Sequence, residues 1–222
     1  QPTDWMLLLD DNDPPWRDDL IERLLRLAVE WSGADPTIGA VGIDGASINR
    51  RTGLLHKERG ATGTGPLPAD YLFSGYLPLY RVAAVRAVGP FDRSLFFGFE
   101  ELEYGLRLAR AGYRTVVAAE LRADADATVT PDRRQRNVDS KVPDRASVQW
   151  RRYYNHRNLL RIYSRYRLWW PLIVVALVLP SASLARALIR RPGDLAPLVH
   201  TYARATLDAA LGRLGRRIEV PR

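Results

Sequence analysis

Two clusters of carboxylates hold the densest potential for chemistry in this chain. The first is Asp10-Asp11-Asn12-Asp13, which follows the apolar run Trp5-Met6-Leu7-Leu8-Leu9. Ligands of open α/β sheets bind at the carboxyl ends of strands, and carboxylates placed there within two residues of one another can converge on one hard divalent cation. A cation held in this way neutralises a diphosphate leaving group. An acidic loop capping the helix that follows is the competing reading. The second cluster lies in Phe96-Phe97-Gly98-Phe99-Glu100-Glu101-Leu102-Glu103-Tyr104-Gly105-Leu106-Arg107. Three acids fall within four positions behind an aromatic run. Like charges raise one another's pKa values, and a carboxylate beside a hydrophobic wall suits a general base. A helix N-terminus, which favours acids in any case, accounts for the same residues.

The elements that must position these groups read as α/β. Residues 5–9 are continuously apolar and predict a strand buried on both faces, in the middle of a parallel sheet. Residues 17–31 place Leu20, Ile21, Leu24, Leu25, Leu27, Ala28 and Trp31 on one helical face, with Asp18, Asp19 and Glu22 suiting the helix dipole. Strands follow at 38–43, 70–73 and 113–119, and helices at 81–88 and 100–111, with a loop-rich stretch at 44–68 able to line a site. This alternation argues for an α/β sheet over residues 1–130. Residues 131–149 read as a linker, and 150–222 as a basic helical extension. Within that extension, 168–185 carry no charge and are interrupted by Pro171 and Pro180.

Composition bounds the function. Of 222 residues 46% are apolar and none is cysteine, which excludes a disordered tail, a disulfide scaffold, a cysteine-ligated zinc site and a thiol enzyme. The net charge of +8 is unevenly spread: residues 1–132 carry 20 acidic and 14 basic side chains, residues 133–222 carry 5 and 19. The two halves therefore meet different partners.

Taken together, and about 90 positions apart, the two carboxylate clusters resemble the family-2 inverting glycosyltransferases of GT-A fold. In that family an apolar strand ending in Asp-Asp-Asp holds the metal and the nucleotide diphosphate, as Leu9-Asp10-Asp11-Asn12-Asp13 is placed to do. The similarity continues through Ser74-Gly75, Gly89-Pro90-Phe91-Asp92, residues 97–107 and Ala111-Gly112-Tyr113-Arg114. Tyr153-Tyr154-Asn155-His156-Arg157-Asn158 is similar to a Tyr-Tyr-x-x-Arg-Asn element of bacterial members that build cell-envelope polysaccharide. The resemblance implies Asp10, Asp11 and Asp13 as ligands of Mg²⁺ or Mn²⁺ and of the donor diphosphate. It makes Glu101 the catalytic base, with Glu100, Glu103, Ser74 and Gly75 supporting the acceptor or the loop, and Arg107 structural, paired with an acid. Its substrates would be a nucleotide-sugar donor, such as dTDP-rhamnose or UDP-galactofuranose, and a saccharide or lipid-linked acceptor.

Two departures accompany the resemblance. Many members carry a metal- or phosphate-binding His after the strand that follows the base, where this chain has Arg122-Ala123-Asp124-Ala125-Asp126, so Asp124 or Asp126 is the expected replacement as a third ligand. Members also begin well before the Asp motif. The resemblance thus implies a partial GT-A sheet lacking its nucleotide-binding beginning, inactive by itself. In the basic half, Arg161, Arg165 and Arg167 before the apolar run, Trp169-Trp170 at its edge and Arg186, Arg190 and Arg191 after it read as a grip on an anionic membrane surface at the cytoplasmic face. A nucleic-acid surface is disfavoured by the acidic front half and the lack of a recognition fold. A non-catalytic membrane-binding remnant or partner subunit and another metal-dependent phosphate-handling enzyme are the alternative functions.

Overall fold

The computed structural model describes residues 4–9, 15–57, 63–128 and 145–219. They fall into two units: Gln1–Ile48, Leu55–Phe91 and Glu101–Asp139 form the first, and Asn49–Leu54, Asp92–Glu100 and Ser140–Arg222 the second. The division is therefore not a single cut along the chain, because two short front-half segments group with the C-terminal helices.

The first unit is α/β. Its elements are β1 (Trp5–Leu7), α1 (Leu20–Ala34), β2 (Ile38–Gly42), β3 (Gly45–Ile48), β4 (Leu55–Lys57), β5 (Pro66–Ala69), β6 (Tyr71–Leu72), β7 (Leu79–Arg81), α2 (Val82–Val88), α3 (Glu100–Arg110), β8 (Arg114–Ala118) and α4 (Ala119–Thr128). The main sheet has the order β1-β7-β2-β8-β5 and a smaller one the order β4-β3-β6. Among the described residues of the main sheet only β2 and β8 pair in parallel; the other pairings are antiparallel. Two apolar clusters flank it. Leu20, Leu24 and Ala28, one face of α1 at helical spacing, pack with Ile38, Val116 and Ala118 and with Leu121 and Ala125 of α4. Tyr80, Val117, Ala84 of α2 and Tyr104 and Leu108 of α3 form the other. Adjacent residues Val116 and Val117 of β8 enter different clusters, as the pleat requires.

Two expectations are corrected. β1 is not a central parallel strand: it lies at one end of the sheet, antiparallel to β7, and Met6 is exposed. Trp5 and Leu7 pack on the first cluster and Leu8 on the second, so the apolar run marks contact with both clusters rather than neighbours on both sides. The stretch after β8, where the family resemblance implies a ligand-bearing loop at residues 122–128, is most of α4 and follows β8 directly. Alternating Ala and Asp hid its register, in which Ala119, Leu121 and Ala125 turn inward.

The second unit is helical: α5 (Arg145–Arg165), α6 (Trp169–Arg190) and α7 (Leu195–Ala210). Of the linker expected over 131–149, residues 131–144 lie outside the described residues and the rest begin α5. The prolines do not interrupt α6. Pro171 sits in the first turn, where an N–H has no helical partner to lose. Pro180 follows a π turn over Val174–Val178, where the Leu179 N–H bonds the Val174 carbonyl five residues back. A proline ring clashes with the carbonyl four residues earlier, and the wider turn accommodates it.

Candidate functional site

In the first unit the candidate base stands on α3. Its side chain is half-buried, and among the described residues no cation pairs with the Glu101 carboxylate. Tyr80, on β7, lies within range of its charge: burial first, then Glu101, pushes the Tyr80 phenol up. Tyr80 packs edge-on against Phe91 and Tyr104, which stack on each other at 4.1 Å. An aromatic wall therefore backs the start of α3.

Glu103 has a different environment. It is 1% exposed and accepts a 2.7 Å hydrogen bond from Arg107 Nη2 one turn on, while Arg107 Nη1 donates to the Val88 and Pro90 carbonyls at 2.9 and 2.8 Å. The pair thus fastens α3 to the turn that carries Phe91. Two neighbouring acids, one open and one locked, are set apart by a single arginine. Gly105 lets α3 pack closely, since a Cβ there would sit 2.0 Å from the Asp70 carbonyl oxygen.

Ser74 and Gly75 begin a single 3₁₀ turn (Ser74–Tyr76) between β6 and β7. Phe73, just before the turn, and Tyr76, its last residue, face the Lys57 ammonium, at 4.5 and 5.6 Å from the ring centres. Lys57 in turn donates to Asp44 Oδ2 at 2.7 Å, and Asp44 Oδ1 accepts from Arg122 Nη1 and from the Gly45 N–H. Burial works against the Arg122 charge, but Asp44 and Asp126 more than offset it and leave its pKa raised. Asp44 follows β2 and Arg122 lies beyond β8, so this cluster occupies the carboxyl edge of the parallel strands, where α/β folds receive ligands. Sequence reasoning missed it. The available signal was an acid just past a strand whose residues are all apolar or glycine, the same context that drew attention to Asp10.

The two candidates for the third metal ligand each face arginines. Asp124 faces Arg17 and Arg23 of the first unit at 3.4 and 3.3 Å, and Asp126 accepts from Arg122 Nε at 3.1 Å. Among the described residues no three His, Asp or Glu side chains converge as a metal-ligand group. Asp10, Asp11 and Asp13 lie outside the described residues.

The second unit holds the loop that leads into α3. Three of its residues have left-handed backbone: Phe96 (φ 66°), Gly98 (φ 81°) and Phe99 (φ 67°). For bulky residues such as Phe this region is strained, and it persists only where the surroundings enforce it. Here α5 enforces it. Asn158 Nδ2 donates to the carbonyls of Leu95 (3.1 Å), Phe97 (2.8 Å) and Gly98 (2.8 Å). Arg157, fully buried, donates to the Leu95 and Gly215 carbonyls, each at 2.8 Å, and to Asn158 Oδ1. Phe96 packs on Tyr154 and Phe97 on Trp150. Gly98 has a backbone that L side chains rarely adopt, and a Cβ there would also press on Asn155 Oδ1 at 2.3 Å, so glycine is favoured. The two aromatic motifs, some 50 positions apart in sequence, are thus two sides of one contact.

Residues 60–206, about two-thirds of the chain, match the family described as Glycosyl transferase family group 2. No curated protein and no solved structure matches the chain. The family match begins after Asp10–Asp13 and spans Ser74-Gly75, the α3 acids and the Tyr-Tyr-x-x-Arg-Asn element.

Proposed function

Because the chain belongs to glycosyl transferase family group 2, we propose that this glycosyltransferase inverts the sugar it moves and uses Glu101 as its base. The family implies a nucleotide-sugar donor and an acceptor. In the proposed reaction the Glu101 carboxylate takes the proton of an acceptor hydroxyl, and the oxygen attacks the anomeric carbon. The bond from that carbon to the diphosphate breaks, and the nucleoside diphosphate departs from the opposite face. The observation that carries this assignment is the contrast on α3: Glu103 is consumed by Arg107, while Glu101 is half-buried beside an aromatic wall with no cation paired to it among the described residues.

Asp10, Asp11 and Asp13, which follow β1 in the sequence, offer only oxygen donors, a set that suits Mg²⁺ or Mn²⁺. A bound cation would neutralise charge on the leaving diphosphate. Asp124 and Asp126, engaged by arginines, fit less well as further ligands. The favoured setting is the cytoplasmic face of the membrane, with dTDP-rhamnose or UDP-galactofuranose as donor, a saccharide or lipid-linked acceptor and a role in cell-envelope polysaccharide synthesis. Supporting the membrane setting, α6 is long and apolar enough to cross a bilayer, only 17% of its most apolar stretch is buried, and Trp169, Trp170, Ile173 and Leu177 are exposed. With arginines at both ends it is also suited to lie in the interface.

The test is nucleoside diphosphate release by the full-length protein from a panel of nucleotide sugars, with a membrane lipid extract as acceptor source. Glu101→Gln should lower kcat by at least about 10²-fold without moving the unfolding midpoint, and EDTA should stop turnover until Mg²⁺ or Mn²⁺ is returned. Full activity in Glu101→Gln would overturn the base assignment, and full activity in EDTA the metal assignment.

A further inference from the structure

In the first unit, the side chains of Tyr80, Glu101 and Tyr104 lack a hydrogen-bond partner among the described residues. They converge at the start of α3. Tyr80, on β7, meets Tyr104 edge-on with 5.2 Å between ring centres, and Tyr104 shares a face of α3 with Glu101, three positions earlier. The Glu101 charge reaches the Tyr80 phenol, whose pKa is raised by burial first and by that charge second. The other buried members of the Tyr80 cluster include Ala40, Leu72, Ala84, Leu108 and Val117, whose apolar side chains offer its hydroxyl nothing. The Tyr104 hydroxyl is sealed from solvent; the Tyr80 hydroxyl, on a side chain 2% exposed, is not. A phenylalanine would fill the same apolar space without leaving a hydroxyl unbonded, so this oxygen points to a ligand.

We propose that the Tyr80 hydroxyl binds the acceptor sugar, holding the hydroxyl next to the one that Glu101 deprotonates; the proposal rests on the reaction set out above. A phenol both donates and accepts hydrogen bonds, which suits a sugar hydroxyl that does the same, whereas an ionised carboxylate only accepts. Glu101 therefore takes the reacting hydroxyl and Tyr80 fixes its neighbour. Two contacts on one ring decide which oxygen faces the donor, where a single contact leaves the ring free to turn. With its pKa raised, the phenol stays protonated and does not compete with Glu101 for the proton. The acceptor class that follows is a saccharide with neighbouring hydroxyls rather than a lipid phosphate or a simple alcohol.

The experiment compares the full-length protein with its Tyr80→Phe variant in urea unfolding and in nucleoside diphosphate release. Release is measured from the nucleotide sugar that turns over fastest, once with the membrane lipid extract and once without it, where water is the acceptor. Water calls on Glu101 but brings no second hydroxyl to Tyr80. Loss of one hydrogen bond to the acceptor should therefore lower the ratio of transfer to hydrolysis about three- to tenfold. The unfolding midpoint of Tyr80→Phe should equal or exceed that of wild type, because the variant gives up only an unbonded hydroxyl. Extract treated with periodate, which cleaves neighbouring hydroxyls, should no longer serve as acceptor. An unchanged ratio, a lowered midpoint or full transfer to the periodate-treated extract would overturn the inference, the lowered midpoint by showing that the hydroxyl is bonded within the fold. Failure of the base is a separate result, full activity in Glu101→Gln, whatever Tyr80→Phe shows.

Discussion

Asn158 offers the sharpest test of how α5 acts on the loop before α3. Its amide nitrogen serves the carbonyls of Leu95, Phe97 and Gly98, and its oxygen accepts from Arg157. In Asn158→Ala the Leu95 carbonyl keeps its bond from Arg157, but those of Phe97 and Gly98 lose the donor that holds them. A buried polar group left unsatisfied costs about 1–3 kcal/mol, so two give about 2–6 kcal/mol in a rigid loop. The loop is not obliged to stay rigid. Phe96 and Phe99 each hold strain of about 1–3 kcal/mol, which is released if the backbone relaxes. The expected net loss is therefore at most about 4 kcal/mol, and it is accompanied by movement of residues 95–99. Because Phe99 precedes Glu101 by two residues, that movement displaces the base. Misplacement by about 1 Å costs about 10²-fold in rate, so kcat should fall by that order while the donor KM stays near wild type. Asn158→Asp separates the two halves of the amide: it keeps the acceptor facing Arg157 and removes both donors, and it should be at least as damaging as alanine. Kinetics of nucleoside diphosphate release, urea unfolding and hydrogen exchange over residues 93–102 supply the readouts. Wild-type kcat in a folded Asn158→Asp chain with unchanged exchange over that loop would refute the reasoning.

How much of this was legible from sequence depends on whether a residue's role was local. Leu20, Leu24 and Ala28 announced α1 through their spacing, and residues 38–43 announced a buried strand, because both patterns are set by elements only a few residues long. The α3 acids were legible as a group, but their division into an open Glu101 and a locked Glu103 depends on where Arg107 can reach, and the Val88 and Pro90 carbonyls that fix it are 19 and 17 positions away. The arginines of α5 were the least legible. In sequence they form one basic series beside aromatic residues, yet Arg157 is buried and structural whereas Arg151 and Arg152 face a cavity. Helical periodicity could not separate them, because what distinguishes Arg157 is a set of carbonyls brought in from residues 95 and 215. The apolar run of α6 was visible as apolar, but its continuity was not. Pro180 reads as a break until the π turn before it is seen.

Other consequences are equally open to measurement. Gly105→Ala places a methyl group against the Asp70 carbonyl and should destabilise the chain by about 1–3 kcal/mol or more; an unchanged thermal midpoint would contradict the close approach of α3. Trp169→Ser/Trp170→Ser, at positions 58% and 60% exposed, should reduce flotation with anionic liposomes while leaving the unfolding midpoint within a degree or two; undiminished flotation would remove α6 from the membrane argument. The last concerns His156, which is 5% exposed and whose pKa burial lowers from 6.5 to about 4. In the unfolded chain the same imidazole takes up a proton near pH 6.5, so the unfolded state binds more protons between the two values and stability rises with pH across that window. The contribution is fully present above about pH 6.5 and is lost as pH falls toward 4, amounting to about 2 kcal/mol between pH 7 and pH 4.5. Other groups titrate in the same range, so the informative quantity is the difference between wild type and His156→Gln, which lacks the imidazole. Urea unfolding of both at the two pH values should show the wild type losing about 2 kcal/mol relative to the variant on acidification. A difference that stays constant between pH 7 and pH 4.5 would mean that His156 is protonated as readily in the folded chain as in the unfolded one.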